Sequence, residues 1–301
     1  MGRLTARILG SAAGGGFPQW NCRCPTCQLA WAGDARVRPR TQASLAVSAD
    51  GETWTLINAS PDLPLQIRQS QVLQPRDPTR ASPIKAVLLT GAEIDQVAGL
   101  LSLREREPFL LCATAVTLAT LAENPIFGAL AGDVVTRKAL VPAAPFMLPG
   151  ELQAQLFMVP GKAPLYLEGE NPDTASETAA NVGVEIYAGH ARMVYIPGAA
   201  AVTEAMTTRM NDADVVFFDG TLFRDDEMIT TGTGAKTGRR MGHMPIDGED
   251  GSLAALDGLV GRRIYVHINN TNPILVEGSP ERVEVERRGW EVAVDGLEIA
   301  L

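Results

Sequence analysis

The sequence changes from a strand pattern through two acidic residues to a helix pattern within one stretch, Ala86-Val-Leu-Leu-Thr-Gly-Ala-Glu-Ile-Asp-Gln-Val-Ala-Gly-Leu100. The run Ala86–Leu89 has the composition of a buried β-strand. Glu93 and Asp95 follow it, and the apolar spacing after them predicts a helix over Asp95–Arg106. Acids at this junction either project from the strand end toward a common site or stabilise the positive end of the helix dipole. The residues alone leave both interpretations open.

Other runs of the chain repeat this alternation of strand and helix patterns. Further helices are predicted at Pro61–Gln69, Ala115–Glu123, Val202–Met210 and Ser279–Arg288. Strands are predicted at Ala6–Leu9, Ser44–Ser48, Thr53–Asn58, Gln155–Val159, Val182–Tyr187, Met193–Ile196, Val215–Phe218, Ile264–Ile268 and the tail Trp290–Leu301. Strands in both halves of the chain, interspersed with helices, predict an α/β protein in which two packed sheets have helices outside. We expect one domain over residues 1–301, because the pattern contains no linker, repeat or low-complexity tract.

Composition narrows the classes of function. The chain has 301 residues, is 46% hydrophobic and carries a formal net charge of −9. One large core is therefore feasible, and nucleic-acid binding is disfavoured because no basic excess exists to hold phosphates. A membrane span needs about 20 apolar residues, and no run reaches this length. The N-terminus lacks the apolar core of a signal peptide, so we expect a cytoplasmic location.

Acidic and histidine residues that could act as ligands lie at or near the ends of further predicted strands. Asp219 closes the apolar run Val215–Phe218, and an acid at the end of such a strand in an α/β protein lies where ligands usually bind. His267 lies at the end of another strand, whereas His243 lies in a loop. A lone histidine is commonly a hydrogen-bonded structural residue, so each of these is either structural or a ligand.

Three of the four cysteines lie within six residues, in Asn21-Cys-Arg-Cys-Pro-Thr-Cys27. Thiols stay reduced in the cytoplasm, so this cluster indicates a metal rather than disulfides. Thiolates at this spacing favour tetrahedral Zn²⁺, which requires one further ligand. The alternative is a redox pair with a bystander, although no strand–CxxC–helix context surrounds the cluster. Cys112 lies in an apolar run and is expected in the core.

The polar segment Leu167–Ala180 includes the turn signal Asn171-Pro-Asp173. It is interpreted as a loop. Such a loop either moves over a site or is an ordinary surface excursion.

Motifs spread along nearly the whole chain resemble the pyrroloquinoline quinone (PQQ) biosynthesis protein B family. They are Gly10-Ser-Ala-Ala-Gly-Gly-Gly-Phe-Pro-Gln-Trp-Asn-Cys-Arg-Cys-Pro25, Asn58-Ala-Ser-Pro-Asp62, Gly99-Leu-Leu-Ser-Leu-Arg-Glu105, Val159-Pro-Gly-Lys162, Asp219-Gly-Thr221, Met241-Gly-His-Met244 and Val266-His-Ile-Asn-Asn-Thr-Asn-Pro273. The resemblance implies a metallo-β-lactamase-like αββα sandwich of two mixed β-sheets flanked by helices, in agreement with the two-sheet prediction.

The resemblance also locates the superfamily's metal motif, His-x-His-x-Asp-His. Its positions are occupied here by Gly91, Glu93, Asp95 and Gln96. Members of the PQQ family usually keep the final Asp-His, so Gln96 is a further departure. The remaining set is oxygen-rich and suits Fe²⁺ or Mn²⁺ better than a zinc hydrolase pair. That set consists of Glu93, Asp95, Asp219, His243 and His267.

Three functions follow as expectations from the resemblance. The first is iron- and oxygen-dependent hydroxylation of the tyrosine of a Glu–Tyr-derived PQQ precursor, with Fe²⁺ held by Asp95, Asp219 and His267, together with His243 and Glu93. Arg40, Arg104 or Lys162 then either receives substrate carboxylates or is plain surface charge. The second is a carrier that binds PQQ or its precursor for transport to the periplasm, with Trp20 either facing the ligand or packed in the core. Hydrolysis is disfavoured, because Gly91, Glu93 and Gln96 replace histidines.

The resemblance bears on partners and on the cysteine cluster as well. We expect other PQQ-pathway proteins as partners. Related phosphodiesterases of this fold close a three-cysteine zinc site with a histidine shortly after the one that matches His267. That position here is Asn270. Either Asn270 supplies an oxygen ligand to a structural zinc on Cys22, Cys24 and Cys27, or water or another residue closes the site.

Overall fold

The computed structural model describes residues 3–76, 79–170 and 172–301. Its strands are β1 (Thr5–Gly10), β2 (Ser44–Ser48), β3 (Trp54–Ile57), β4 (Ile84–Leu88), β5 (Leu110–Thr114), β6 (Thr136–Leu140), β7 (Pro145–Leu148), β8 (Leu152–Pro160), β9 (Glu177–Ala188), β10 (Ala191–Ile196), β11 (Val215–Asp219), β12 (Arg262–Val266), β13 (Trp290–Val292) and β14 (Glu298–Ala300). Its α-helices are α1 (Pro25–Trp31), α2 (Leu63–Gln69), α3 (Ile94–Val97), α4 (Ala115–Glu123), α5 (Glu204–Asn211), α6 (Glu227–Thr230), α7 (Gly238–Met241), α8 (Ser252–Ala255) and α9 (Pro280–Arg287). Short 3₁₀ helices lie at Gln71–Leu73, Ala98–Leu103, Pro125–Ala129, Leu165–Leu167 and Pro273–Leu275.

The strands form two seven-stranded mixed sheets, in the orders β14-β1-β2-β3-β4-β5-β6 and β13-β12-β11-β10-β9-β8-β7. In the first sheet, pairing is antiparallel from β14 to β3 and parallel from β3 to β6. In the second sheet, β13 to β10 pair in parallel, and β10 to β7 pair antiparallel. The parallel strands of the two sheets are the ones that carry the candidate site.

Apolar side chains fill three layers. Between the sheets, residues such as Leu88 of the first sheet pack with Phe217 of the second. The outer face of the second sheet packs against α5 and α9 through residues such as Met206 and Val285, and the outer face of the first packs against α2 and α4 through Leu63 and Leu121. This arrangement confirms the predicted αββα sandwich.

The predicted helix over Asp95–Arg106 forms only in part, as α3 followed by the 3₁₀ helix Ala98–Leu103. The cause is a close backbone approach, in which the Gly99 amide donates to the Ala59 carbonyl at 2.8 Å. A Cβ at position 99 would come within 2.1 Å of the Ser60 carbonyl oxygen. The backbone therefore packs against its neighbour instead of continuing as an α-helix.

The single strand predicted at Trp290–Leu301 is wrong. The tail divides into β13 and β14, which belong to different sheets. Between them, the Asp295 carboxylate accepts hydrogen bonds from the amides of Ser11 at 2.9 Å and Thr41 at 2.6 Å. This carboxylate fastens the crossing between the sheets.

Most of the remaining predicted strands and helices are confirmed within two residues of their ends. Strand β6 was missed because four of its five residues are exposed, so it lacks an apolar run. The loop predicted at Leu167–Ala180 is correct for 168–170 and 172–176, whereas β9 begins at Glu177. Asn171 lies outside the described residues. Within the described ranges, no helix is both long and apolar enough to cross a membrane.

Candidate metal centre and pocket

The candidate centre lies where the carboxyl ends of parallel strands from both sheets meet. Asp95 follows β4 of the first sheet, at the beginning of α3. Asp219 is the last residue of β11, and His267 directly follows β12 of the second sheet. His243 reaches the same place from the loop after α7. The fold therefore brings together four of the five residues that the sequence analysis assigned to a catalytic metal.

Asp219 is fully buried, yet its carboxylate is well supplied with donors. Oδ1 accepts from the Thr221 amide at 3.0 Å and the Thr221 hydroxyl at 2.6 Å. Oδ2 accepts from the Ala199 amide at 2.9 Å and lies 2.7 Å from Nδ1 of His243. Burial alone would raise the pKa of Asp219, but His243 and His267 outweigh burial and lower it. Asp219 is thus held as a buried carboxylate.

The two imidazoles lie side by side, with ring centroids 5.3 Å apart and planes inclined by 21°. The Thr221 hydroxyl oxygen is 3.1 Å from Nδ1 of His243 and 2.9 Å from Nδ1 of His267. One donor atom from each of Asp219, His243 and His267 lies within 4.8 Å of the others, close enough to share a metal ion. His267 adopts a φ of +56°, which is uncommon outside glycine and directs its ring into this cluster.

Asp95 joins the cluster through His267, whose Nε2 lies 2.9 Å from Oδ2 of Asp95. Burial would lower the pKa of His267, but Asp95 outweighs burial and raises it. Burial would raise the pKa of Asp95, but His267 outweighs burial and lowers it. The pair is therefore a buried ion pair, and a metal cation that takes Nε2 must displace its proton.

Glu93 and Gln96 are oriented differently from the four clustered residues. The Glu93 side chain caps the start of α3, and Gln96 Oε1 accepts from the Glu93 amide at 3.2 Å. The Glu93 carboxylate also accepts from Nζ of Lys162 at 3.1 Å. A Cβ at Gly91 would come within 2.5 Å of Gln96 Oε1, so glycine at 91 makes room for this glutamine. Glu93 therefore stabilises the start of helix α3, whereas Asp95 projects toward the common site. Each of the two interpretations holds for one of the acids.

A cavity of about 420 Å³ opens above the cluster. Its polar and charged lining residues are Glu93, Asp95, Gln96, Lys162, Asn181, Thr221, Lys236, His243, His267 and Asn269. The lining places two lysines beside the candidate metal-ligating side chains, where they can face an anionic group of a ligand.

The three clustered cysteines converge as predicted, about the side chain of Asn270. Asn270 Nδ2 lies 3.1 Å from Sγ of Cys22, 3.5 Å from Sγ of Cys24 and 3.3 Å from Sγ of Cys27. Turning the amide over by 180° directs its oxygen at the same point, so three sulfurs and one oxygen can surround a Zn²⁺ ion. Burial raises the pKa of Cys27 to about 12, whereas the pKa of Cys24 is lowered, against burial, by hydrogen bonds led by that with Thr26.

The structure separates the predicted substrate-binding cations. Lys162 lines the cavity. Arg40 is buried elsewhere and donates to the Ala293 carbonyl, and Arg104 is exposed and donates to the Leu101 carbonyl at 2.9 Å. Arg40 and Arg104 therefore do not line this cavity, and the interpretation of Arg40 as plain surface charge is wrong because Arg40 is buried. A core position for Trp20 is also wrong, because 83% of its surface is exposed.

Four further residues of the site had no role in the sequence analysis. Thr221 was part of a quoted motif, and its position two residues after a strand-terminal aspartate was the available signal. Lys236 and Glu168 lie in polar, glycine-containing loops, and Arg240 lies in the short helix α7. Nothing in the sequence distinguishes these three residues from surface charge. They enter the site only through tertiary structure.

Glu227 is a buried carboxyl that contacts the segment carrying His267 and Asn270. It accepts hydrogen bonds from the Thr271 hydroxyl at 2.6 Å and from the Phe223 amide at 2.8 Å. Thr271 immediately follows Asn270 in the sequence. Burial raises the pKa of Glu227 to about 7, and the hydrogen bonds only partly offset this effect.

The cysteine cluster gives a prediction about zinc. We expect the Cys27→Ser variant to lose zinc and more than about 3 kcal/mol of unfolding free energy, because a lost structural metal removes its binding energy from the folded state. The matched control is Cys112→Ala, at a cysteine that is equally buried but lies in the inter-sheet core. Zinc content and urea unfolding measure both effects. Unchanged zinc in Cys22, Cys24 and Cys27 variants alike would contradict the prediction.

Glu227 gives a prediction about pH. Its folded pKa lies above the unfolded value, so the folded state binds the extra proton, and stability falls as pH rises from about 4.5 to about 7. The shift corresponds to about 3 kcal/mol. We expect Glu227→Gln to lose this part of the pH dependence, while the exposed control Glu123→Gln follows the wild type. Urea unfolding at pH 5 and pH 8 measures it; equal pH dependence in all three proteins would refute it.

Comparison with known proteins extends these observations. Residues 53–268 match the family model described as the β-lactamase superfamily domain. The coenzyme PQQ synthesis protein B of Methylorubrum extorquens (strain PA1) is 55% identical over 295 residues, which cover 98% of this chain and 99% of that protein. The protein of the same name from Rhizobium meliloti (strain 1021) is 54% identical over 295 residues, with 98% and 97% of the two chains covered.

Two solved structures show the same architecture. The crystal structure of Zn²⁺-bound PqqB from Methylobacterium extorquens superposes with a TM-score of 0.97 at 55% identity, over 99% of this chain and 100% of that one. A diphosphatase from the PhnP family superposes with a TM-score of 0.69 at 20% identity, over 99% and 97% of the two chains, and shares the fold alone. The chain belongs to the coenzyme PQQ synthesis protein B family, within the β-lactamase superfamily.

Proposed function

We propose that this protein takes part in PQQ synthesis as an iron- and oxygen-dependent hydroxylase of the tyrosine ring in a Glu–Tyr-derived precursor. The observation that carries the proposal is the convergence of Asp95, His243 and His267 at one wall of an open cavity, with Asp219 buried directly behind them. The names of the relatives supply the pathway.

The donor set fits iron. Two imidazoles and a carboxylate with open positions form the combination that non-haem Fe²⁺ oxygenases use. Gln96 directs its amide oxygen at the start of α3, so it does not fill a coordination position from that side. Fe²⁺ bound here would supply the activation of dioxygen for insertion of one oxygen atom into the aromatic ring, with an external two-electron reductant taking the other atom to water.

The chain's own residues orient the metal-ligating side chains. Asp219 and Thr221 hold Nδ1 of His243, and Thr221 also holds Nδ1 of His267. Partners of this kind fix the tautomer and the direction of an imidazole. Substitution of Thr221 therefore disturbs both histidines at once. Lys162, beside the cluster, receives a carboxylate of the substrate.

We further propose that Cys22, Cys24, Cys27 and Asn270 hold a structural Zn²⁺. The convergence of three sulfurs on one amide supports this assignment, and the name of the Zn²⁺-bound relative agrees with it. Asn270 lies three residues after His267. The zinc would therefore fix the segment that positions a metal-ligating histidine.

A carrier of PQQ or its precursor is the second candidate function. One observation favours it: Gly91 and Gln96 occupy positions of the superfamily's histidine motif, and Gln96 is engaged as a helix cap rather than as a ligand. A weakly metallated cavity that retains Lys162 and Lys236 would still bind an organic anion. Binding that survives removal of the metal is the property that distinguishes this function.

The hydroxylase proposal predicts an effect of His267. We expect protein loaded anaerobically with Fe²⁺, and then exposed to oxygen with ascorbate as the reductant, to hydroxylate a Glu–Tyr substrate. We expect His267→Ala to lower the rate by at least about 100-fold, because one ligand and the Asp95 pair are lost. The control is His190→Ala, at an exposed histidine that does not line the cavity. Mass spectrometry of the product measures the rate.

Two outcomes would contradict the proposal. The first is equal activity of the wild type and His267→Ala, which would place the reaction elsewhere. The second is the absence of product from the wild type and from Gln96→His, while both bind the substrate. That result would favour the carrier.

A further inference from the structure

We propose that Lys162, Lys236 and Arg240 form a carboxylate-binding subsite at the edge of the cavity, and that Glu168 occupies this subsite until a carboxylate of the ligand displaces it. The inference deepens the proposed function and rests on it for the ligand class, an organic polycarboxylate. It assigns the specificity-determining residues and an internal competitor.

The three cations converge on one carboxylate. Glu168 Oε2 lies 3.1 Å from Nζ of Lys162, Oε1 contacts Nζ of Lys236, and Nη1 of Arg240 lies 3.7 Å from Oε1. The Glu168 side chain is 7% exposed and that of Lys162 is 9% exposed. Glu168 is therefore a carboxylate covered mainly by Lys162, whereas the side chains of Lys236 and Arg240 remain 40% and 33% exposed.

Two buried polar atoms of this charged cluster lack hydrogen bonds. Glu168 Oε2 makes no hydrogen bond despite its burial and its short distance from Lys162, and Nη1 of Arg240 is likewise buried without a hydrogen-bond partner among the described residues. An unsatisfied buried polar atom costs free energy. A ligand carboxylate that is free to orient could satisfy these donors better than a side chain fixed to its loop.

The charges favour an incoming anion. Lys162, Lys236 and Arg240 supply three positive charges, and Glu93 and Glu168 supply two negative ones. Displacement of Glu168 leaves three cations around one vacated position. Because Lys162 and Lys236 also line the cavity, the vacated position is continuous with the space above the metal cluster.

Glu168 lies on a segment that can release it. The residues that precede it, Leu165–Leu167, form a 3₁₀ helix whose side chains are 57%, 41% and 50% exposed. Polar contacts hold this helix, namely the Leu165 amide to Glu93 at 3.1 Å and the Tyr166 hydroxyl to the Ala92 carbonyl at 2.8 Å. Because little apolar surface of this 3₁₀ helix is buried, the exchange of the Glu168 carboxylate for a ligand carboxylate can move the helix.

The test compares Glu168→Gln with Glu170→Gln. Both variants remove one negative charge from the same loop, but the exposed Glu170 contributes to Arg240 only its backbone carbonyl, at 2.8 Å. The probe is trimesate, a rigid aromatic tricarboxylate, titrated by calorimetry into zinc-loaded protein. We expect Glu168→Gln to bind trimesate at least about tenfold more tightly than the wild type, because a competing charged contact is removed, and Glu170→Gln to stay within about twofold.

A double-mutant cycle keeps the test specific. In a Lys236→Met background, the gain from Glu168→Gln should fall by at least half, because one of the cations that Glu168 masks is then absent. Unchanged or weaker binding by Glu168→Gln, or an equal gain in Glu170→Gln, would overturn the proposal, as would a full gain in the Lys236→Met background.

Failure of this inference is distinguishable from failure of the proposed function. Hydroxylation of a Glu–Tyr substrate with no effect of Glu168→Gln on binding would reject the subsite and keep the hydroxylase. A tenfold gain in binding without any hydroxylated product would support the subsite and favour the carrier.

Discussion

The structure of the site depends on one buried charge, the Asp219 carboxylate. A carboxylate without solvent persists only if hydrogen bonds and neighbouring cations replace its hydration. Asp219 obtains these from three places: the Ala199 amide after β10, Thr221 after its own strand, and His243 after α7. These hydrogen bonds fix each partner in position, and the Thr221 hydroxyl in turn contacts Nδ1 of His267 and orients that ring. The geometry of the candidate metal centre is therefore a consequence of the hydrogen bonds that Asp219 requires.

The segment after β12 connects this centre to the cysteine cluster. His267 contributes to the cavity, and Asn270 lies among the three sulfurs. Asn272 Nδ2 donates to the Gly220 carbonyl at 2.9 Å, which returns the segment to the end of β11. A metal on the cysteines would therefore stabilise the same few residues that carry His267. The two centres are chemically distinct but share one mechanical support.

The sequence predicted those features that local pattern determines. Apolar runs located the strands beneath the site, and an acid or histidine at a run's end located Asp219 and His267, because parallel strands of such folds present their carboxyl ends to ligands. The division of Trp290–Leu301 between two sheets was not predictable, because both halves alternate well and only the distant partners of Asp295 separate them. The same limit applies to Glu168, which meets Lys162 and Arg240 only in the folded chain. The sequence shows that Gln96 stands in place of a motif histidine, but only the structure shows that its side chain caps helix α3.

We propose that this fold holds two separable metal centres, a structural zinc on the cysteines and a more exchangeable metal at the pocket. The most direct test is metal analysis of protein purified without added metal under anaerobic conditions, before and after dialysis against a moderate chelator. We predict one zinc per chain that survives dialysis and a second metal, rich in iron, that dialysis removes while the protein stays folded. A single equivalent of metal throughout, or loss of both metals together with unfolding, would contradict the account.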